Sequence, residues 1–259
     1  MVNNQGPAIR FVLYSEDRAD ANDDFAVLRE ILLGMLKHLR PDIKTNHVAI
    51  TPVQPVPKER VCGSYWKVTN KATDPGAQQF RRNLIRDVAT AIHLGRVVFF
   101  HVDADAIWSR RDACEHACEH WPRFCRDVQA VLEQAAAADK PTSEARLLDQ
   151  ALILAMPFYE MESWVFANTS RLRKLLVEPA DIATLNEWEA DPTCLDDIED
   201  IKDVLTIHDS HNAELVQPKY GFPVALLAET SGSYAATLAR LRHSAFVIRG
   251  LAEAAARAY

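Results

Sequence analysis

Apolar and polar positions follow two different periods along this chain. Ile9-Arg10-Phe11-Val12-Leu13-Tyr14 is a short β-rich run that ends in Ser15-Glu16-Asp17, and it reads as an opening strand. Phe25, Leu28, Ile31, Leu32, Met35, Leu36 and Leu39 then recur at helical spacing, with Asp23 or Asp24 as cap and Pro41 as stop. Val48-Ala49-Ile50-Thr51 is a second short strand, after which Pro52, Pro55 and Pro57 force an extended connector. Phe80, Leu84, Ile85, Val88 and Ile92 mark another amphipathic helix, ended near Gly95, which feeds the apolar run Val97-Val98-Phe99-Phe100-His101-Val102. The order β-α-β-α-β favours a parallel sheet with helices on both faces, an α/β fold.

Beyond Trp108 the pattern turns helical. Ala113 to Ala138 is alanine-rich, with Pro122 expected to start a new helix or to kink this one. A helix over Ser143 to Leu148 precedes a fourth strand, Leu152-Ile153-Leu154-Ala155-Met156. Residues 171–259 show no clear strand period; Leu172, Leu175 and Leu176 predict one helix, Ala235 to Tyr259 another, and Asp191 to Asp203 reads as a solvated acidic loop with a helix start. The expected organisation is a core over residues 1–168 and a helical extension over 169–259 packed on it.

Candidate chemistry gathers where the apolar runs end. The third run finishes in Asp103-Ala104-Asp105, and strand alternation would put both carboxylates on one face, roughly 6.6 Å apart along the backbone. Their oxygens could converge on one divalent ion at the carboxyl end of an α/β sheet, where ligands gather. The bland alternative is that Asp103 ends a strand and Asp105 caps the next helix. Glu16 after the first strand, and Glu160 and Glu162 in Pro157-Phe158-Tyr159-Glu160-Met161-Glu162-Ser163-Trp164 after the fourth, make three apolar segments that each finish in acid.

On these residues the chain resembles Toprim-like proteins of the stand-alone RloB and OLD-nuclease kind, over about residues 9–168. In the resemblance, Glu16 matches the first-strand glutamate, Asp103 and Asp105 the paired aspartates, and Glu162 the glutamate before tryptophan. The resemblance implies a Toprim-like parallel sheet flanked by helices and cleavage of DNA or RNA with one or two Mg or Mn ions, often in bacterial anti-phage defence. Glu16, Asp103, Asp105 and Glu162 would be catalytic, and Glu16, Asp103, Asp105 and Glu160 would be metal ligands. The chain departs from the family in following Glu16 with Asp17 and Arg18 where a glycine is usual. It has no G-x-x-x-x-G-K-[ST] loop, so an ATPase or sensor partner would be a separate chain.

Composition changes this picture in part. With Lys+Arg 29 against Asp+Glu 36, the net charge of −7 is not that of a nucleic-acid coat, although bound cations can invert a local field. Lys58, Arg60, Lys67, Lys71, Arg81, Arg82 and Arg86, with Tyr65 and Trp66 among them, form the basic and aromatic cluster. Lys67 and Arg82 are the candidate phosphate contacts, and Lys219 is a third by fold analogy only. Five cysteines without a secreted pattern, no leader pattern and no membrane-length apolar run point to a reducing cytoplasm and no membrane partner.

Cys114, His116, Cys118 and His120 stand at i, i+4 in two pairs that point in different directions, so one tetrahedral zinc cannot use all four without unwinding the helix. Two other functional classes compete with the nuclease. A nucleotide-sugar glycosyltransferase would use the D-x-D for Mn, and a non-catalytic Toprim-shaped module would bind a partner or a nucleic-acid end.

Overall fold

Four strands pair in parallel in the order β2-β1-β3-β4: β1 (Ile9–Tyr14), β2 (Val48–Pro52), β3 (Val97–His101) and β4 (Leu152–Ala155). The registers place Ile9 against Val48, Leu13 against Phe99, and Phe99 against Ile153. Every residue of β3 and β4 is buried, as the near-continuous apolar runs require when both faces of a parallel sheet are covered. The structure, a computed structural model, describes residues 6–15, 22–52, 75–139 and 147–257. The α/β class, the parallel sheet and the helical C-terminal part match the sequence expectation.

Alternation along the strands divides the interior in two. Phe11, Leu13, Val97 and Phe99 face α1 (Asn22–Leu39) and the helices beyond residue 160. Val12, Tyr14, Val98 and Phe100 face α2 (Pro75–His93) and α3 (Trp121–Asp139). Between α3 and β4 lies the short α4 (Leu147–Ala151). Helix α1 starts at Asn22, so Asp23 and Asp24 lie inside its first turn rather than capping it.

The first core holds the C-terminal half tightly. After α5 (Glu162–Val165) come α6 (Thr169–Leu175), α7 (Pro179–Ala190), α8 (Asn212–Leu215), α9 (Val224–Thr230), α10 (Gly232–His243) and α11 (Ala245–Ala256). Residues from Leu172 to Ala255 share one apolar cluster with β1, α1 and β3. Trp164, fully buried, meets Tyr234 edge-on at 5.2 Å and donates from its indole to Ser233 Oγ at 2.7 Å. At Gly250 a Cβ would come within 2.8 Å of Ile9, so α11 can lie this close to β1 only with glycine there. The single helix expected over Ala235 to Tyr259 is broken at Ser244, whose hydroxyl caps α11 through Val247 N.

Two local departures have clear causes. Residues His116–His120 form a π turn in which Trp121 N–H donates to His116 O. Pro122 lacks an N–H and its ring crowds the carbonyl four residues back, so the chain widens there before α3 begins. The acidic stretch Asp191 to Asp203 is exposed at Asp191, Asp197, Glu199, Asp200 and Asp203, as expected, but it is not an irregular loop. It is folded into short 3-10 turns (Pro192–Asp197 and Ile201–Asp203), with Asp196 buried and accepting from the Ser231 and Ser233 hydroxyls and from Ser233 N.

Candidate functional site

The carboxyl edge of the sheet is where β1, β3 and β4 leave their ladders. Chain reversal in a β2-β1-β3-β4 sheet puts a crevice between β1 and β3, the place where ligands bind in open α/β folds. Pairing persists past the strands, since Val102 N donates to Ala155 O and Ala104 N to Pro157 O, both at 3.1 Å. Extended geometry therefore carries Asp103 onto the same side as His101, whose Nε2 lies 3.3 Å from Asp103 Oδ1.

Glu162 opens the short helix α5 on that side. Its carboxylate accepts from Asn212 Nδ2 at 2.8 Å, reaching across to the first residue of α8. Burial, reinforced by the negative charges of Asp103 and Glu160, pushes Glu162 up to about 7, while Lys202 and its own backbone N–H pull the other way. Glu160, with only 12% of its side chain exposed, pairs with the Lys202 ammonium. That hydrogen bond, outweighing the burial penalty and aided by the charges of Glu160, Glu162 and Asp103, raises Lys202 above its ordinary value. Asp103, Glu160, Glu162 and Lys202 thus form one electrostatic group.

Buried acceptor oxygens remain there. Glu160 Oε2, Asn212 Oδ1 and, at the end of β1, Ser15 Oγ are buried and have no hydrogen-bond partner among the described residues. Among the described residues, the three non-glycine residues with positive φ are at or beside this edge: Asp105 (49°), Tyr159 (33°) and Asp200 (50°). Tyr159 N donates to Ala106 O and its hydroxyl donates to Asp200 Oδ1 at 3.3 Å, which ties the β4 exit to the acidic strap. A left-handed tyrosine is strained, and such strain concentrates at sites the surrounding structure over-determines.

Asp105 does not join Asp103. Its left-handed φ ends the strand alternation that would have aligned the two side chains, and its carboxylate, 71% exposed, lies 3.3 Å from His116 Nε2. His116 Nδ1 in turn faces His120 Nδ1 at 2.9 Å. With ring centroids 5.2 Å apart, the two lone-pair axes are nearly collinear, the geometry of one shared proton rather than of two nitrogens converging on a metal. Burial, then the neighbouring His116, holds His120 below its ordinary value. Cys114 is buried with its thiol on Ala104 O, and Cys118 is exposed with its thiol on Asp112 O. The four residues offer no shared tetrahedral site, and the exposure pattern is mixed: His120 is buried, and Cys118 is not.

Other candidates fall elsewhere. Arg82 is exposed on α2, on the opposite face of the sheet, and donates to Gln79 Oε1 at 2.9 Å. Lys219 Nζ lies 4.7 Å from the centre of the Tyr220 ring, and the lysine that reaches the carboxylates is Lys202. Glu16 and Lys67 lie outside the described residues. Lys202 carried a signal in the sequence, as the one cationic side chain in the stretch Asp191 to Asp203. Asn212 carried none.

Among the described residues, no group of three or more His, Cys, Asp or Glu side chains is placed so that it could hold a metal ion, and no helix is long and apolar enough to cross a membrane. No protein-family model, no curated protein and no solved structure matches the chain.

Proposed function

We propose that the crevice formed by Asp103, Glu160, Glu162 and Lys202 is a divalent-cation site for phosphodiester hydrolysis of a nucleic acid. One observation carries this reading. Carboxylates from two strand ends share one partly buried region in which Lys202 pairs with Glu160, and burial first, then the charges of Asp103 and Glu160, pushes Glu162 up to about 7. Like charges desolvated together are costly unless a cation or a proton joins them.

The carboxylate oxygens would suit a hard cation, with Glu160 Oε2 and Asn212 Oδ1 buried and without a hydrogen-bond partner among the described residues. Asp103 and Glu162 would hold it, while Glu160 stays paired with Lys202. Mg²⁺ binds through one or two carboxylates and leaves its remaining positions to water and substrate phosphate, so an incomplete protein shell is sufficient. When bound, such an ion neutralises phosphate charge and lowers the pKa of coordinated water. The protein's own contributions are distinct. Asn212 fixes the Glu162 carboxylate, His101 backs Asp103, and Lys202 sets the charge balance at Glu160. Glu162, near 7, can accept and release a proton at neutral pH.

The glycosyltransferase alternative needs both aspartates of the D-x-D on one ion, and the turn at Asp105 points against it. The direct test is incubation of the full chain with single- and double-stranded DNA and RNA in Mg²⁺, in Mn²⁺ and in EDTA. Cation-dependent cleavage that disappears in Asp103→Asn and in Glu162→Gln supports the proposal. Cleavage that both variants retain, or no Mn²⁺ binding by the unmodified chain, overturns it.

A further inference from the structure

The open side of β4 carries a second cavity, remote in chemistry from the carboxylate crevice. A hollow of about 310 Å³ lies between α3, α4 and α10, walled by Trp121, Leu148 and Leu152. Arg240 enters it from α10 and donates from Nη1 to Leu154 O at 3.3 Å. That carbonyl belongs to the outer edge of the sheet, because Ala155 O, the next along β4, is directed at β3.

A guanidinium has five N–H donors, and this single bond uses one of them. No carboxylate of the described residues forms an ion pair or hydrogen bond with Arg240. Asp149 lines the same cavity without pairing to it. Cys125, also in the wall, is pushed up to about 12 by burial and by Asp149, so it is a neutral thiol and no counter-ion. Desolvation pulls Arg240 down from its ordinary value, although the residue as a whole keeps exposed surface. The N–H groups of Arg240 that no described residue engages remain free to donate into the cavity, and the planar fork of arginine matches a carboxylate in two parallel hydrogen bonds.

We propose that this cavity binds a small monocarboxylate with an apolar body, the carboxylate on Arg240 and the body against Trp121, Leu148 and Leu152. The volume lies at the lower end of small-molecule pockets. Asp149 at the wall disfavours dianions, which selects a carboxylate over a phosphate.

Calorimetric titration of the full chain with phenylacetate, and separately with inorganic phosphate, tests this. Phenylacetate should saturate a single site, Arg240→Gln should weaken it at least about ten-fold, and phosphate should give no saturable heat. Because Arg240 also holds an edge carbonyl, Ala239→Phe provides an independent variant: it fills the cavity from the neighbouring position on α10 and leaves the guanidinium in place. It should abolish phenylacetate binding with an unchanged unfolding midpoint. The proposal falls if phenylacetate does not saturate, if its binding survives either variant, or if phosphate binds in a way that Arg240→Gln removes. Asp103→Asn should leave phenylacetate binding intact, which separates this cavity from the proposed cation site.

Discussion

Asp103 and Asp105 are two residues apart and have opposite environments. Asp103 is 78% buried at its side chain, backed by His101 and coupled to Glu162 on the face covered by the C-terminal helices. Asp105 is 71% exposed and hydrogen-bonded to the histidine pair of the π turn, on the α3 side. The left-handed backbone of Asp105 itself parts them, because alternation assigns side chains to faces only while φ stays extended. The same short motif therefore divides into one member of a charge cluster and one surface residue. A spacing rule that treats both as ligands fails at the residue where the strand stops.

The sharpest way to break this contrast is to neutralise each aspartate in turn. Asp103→Asn should cost roughly 10³-fold in Mn²⁺-dependent cleavage, about 4 kcal/mol of transition-state stabilisation. Asp105→Asn should change it by less than about three-fold, since an exposed hydrogen bond is worth little more than 0.5 kcal/mol. Single-turnover cleavage rates of the two variants check this, and equal losses would show that both side chains serve the same centre.

A second measurement uses stability instead of turnover. Glu162 sits at about 7 in the folded chain against an ordinary 4.5. Between those values the folded state binds more protons than the unfolded one, so its contribution is complete below about pH 4.5 and is lost as pH rises to about 7. The full difference is about 3 kcal/mol. The drop in unfolding free energy between pH 4.5 and 8 should therefore be smaller by about that amount in Glu162→Gln than in the unmodified chain. Saturating Mn²⁺ should restore stability at pH 8 in the unmodified chain and not in the variant, because the cation takes the place of the proton. A slope identical in both chains would mean that Glu162 is ionised throughout and that the cluster is not strained by its charge.

The sheet was legible because its strands are apolar on both faces: Val97–His101 shows β-branched and aromatic content, and Leu152–Ala155 shows as a short continuous apolar run. Asp103, Glu160 and Glu162 were legible as carboxylates ending such runs. The turn at Asp105 was not, since an aspartate in the left-handed region looks the same in sequence as one in an extended strand. Within Asp191 to Asp203, Asp196 alone misled, for a related reason. Charge density predicts exposure, but Asp196 is buried where two serine hydroxyls and an amide replace its water, and those serines lie 35 and 37 residues away. Asn212 and Lys202 reach the site through the packing of the C-terminal helices on α1 and β3, which is information carried by the core and not by a motif.

The smallest expected effect concerns the one cation already in the cluster. Lys202, 48% exposed, pairs with Glu160, and an exposed pair of this kind contributes at most about 1 kcal/mol to stability. Its larger influence is on charge balance, because its field favours the ionised form of Glu162 and opposes a second cation beside it. In Lys202→Met the Glu162 proton should be held to higher pH than in the unmodified chain. At pH 8.5, where that proton has largely left, Mn²⁺ should bind roughly two- to five-fold more tightly, the size of one screened charge at a partly exposed site. Added salt should reduce that gain. Weaker Mn²⁺ binding in Lys202→Met would assign the lysine the opposite role, holding Glu160 in the position the ion requires, and the contrast between Asp103 and Asp105 would then rest on the strap at 191–203 as much as on the end of β3.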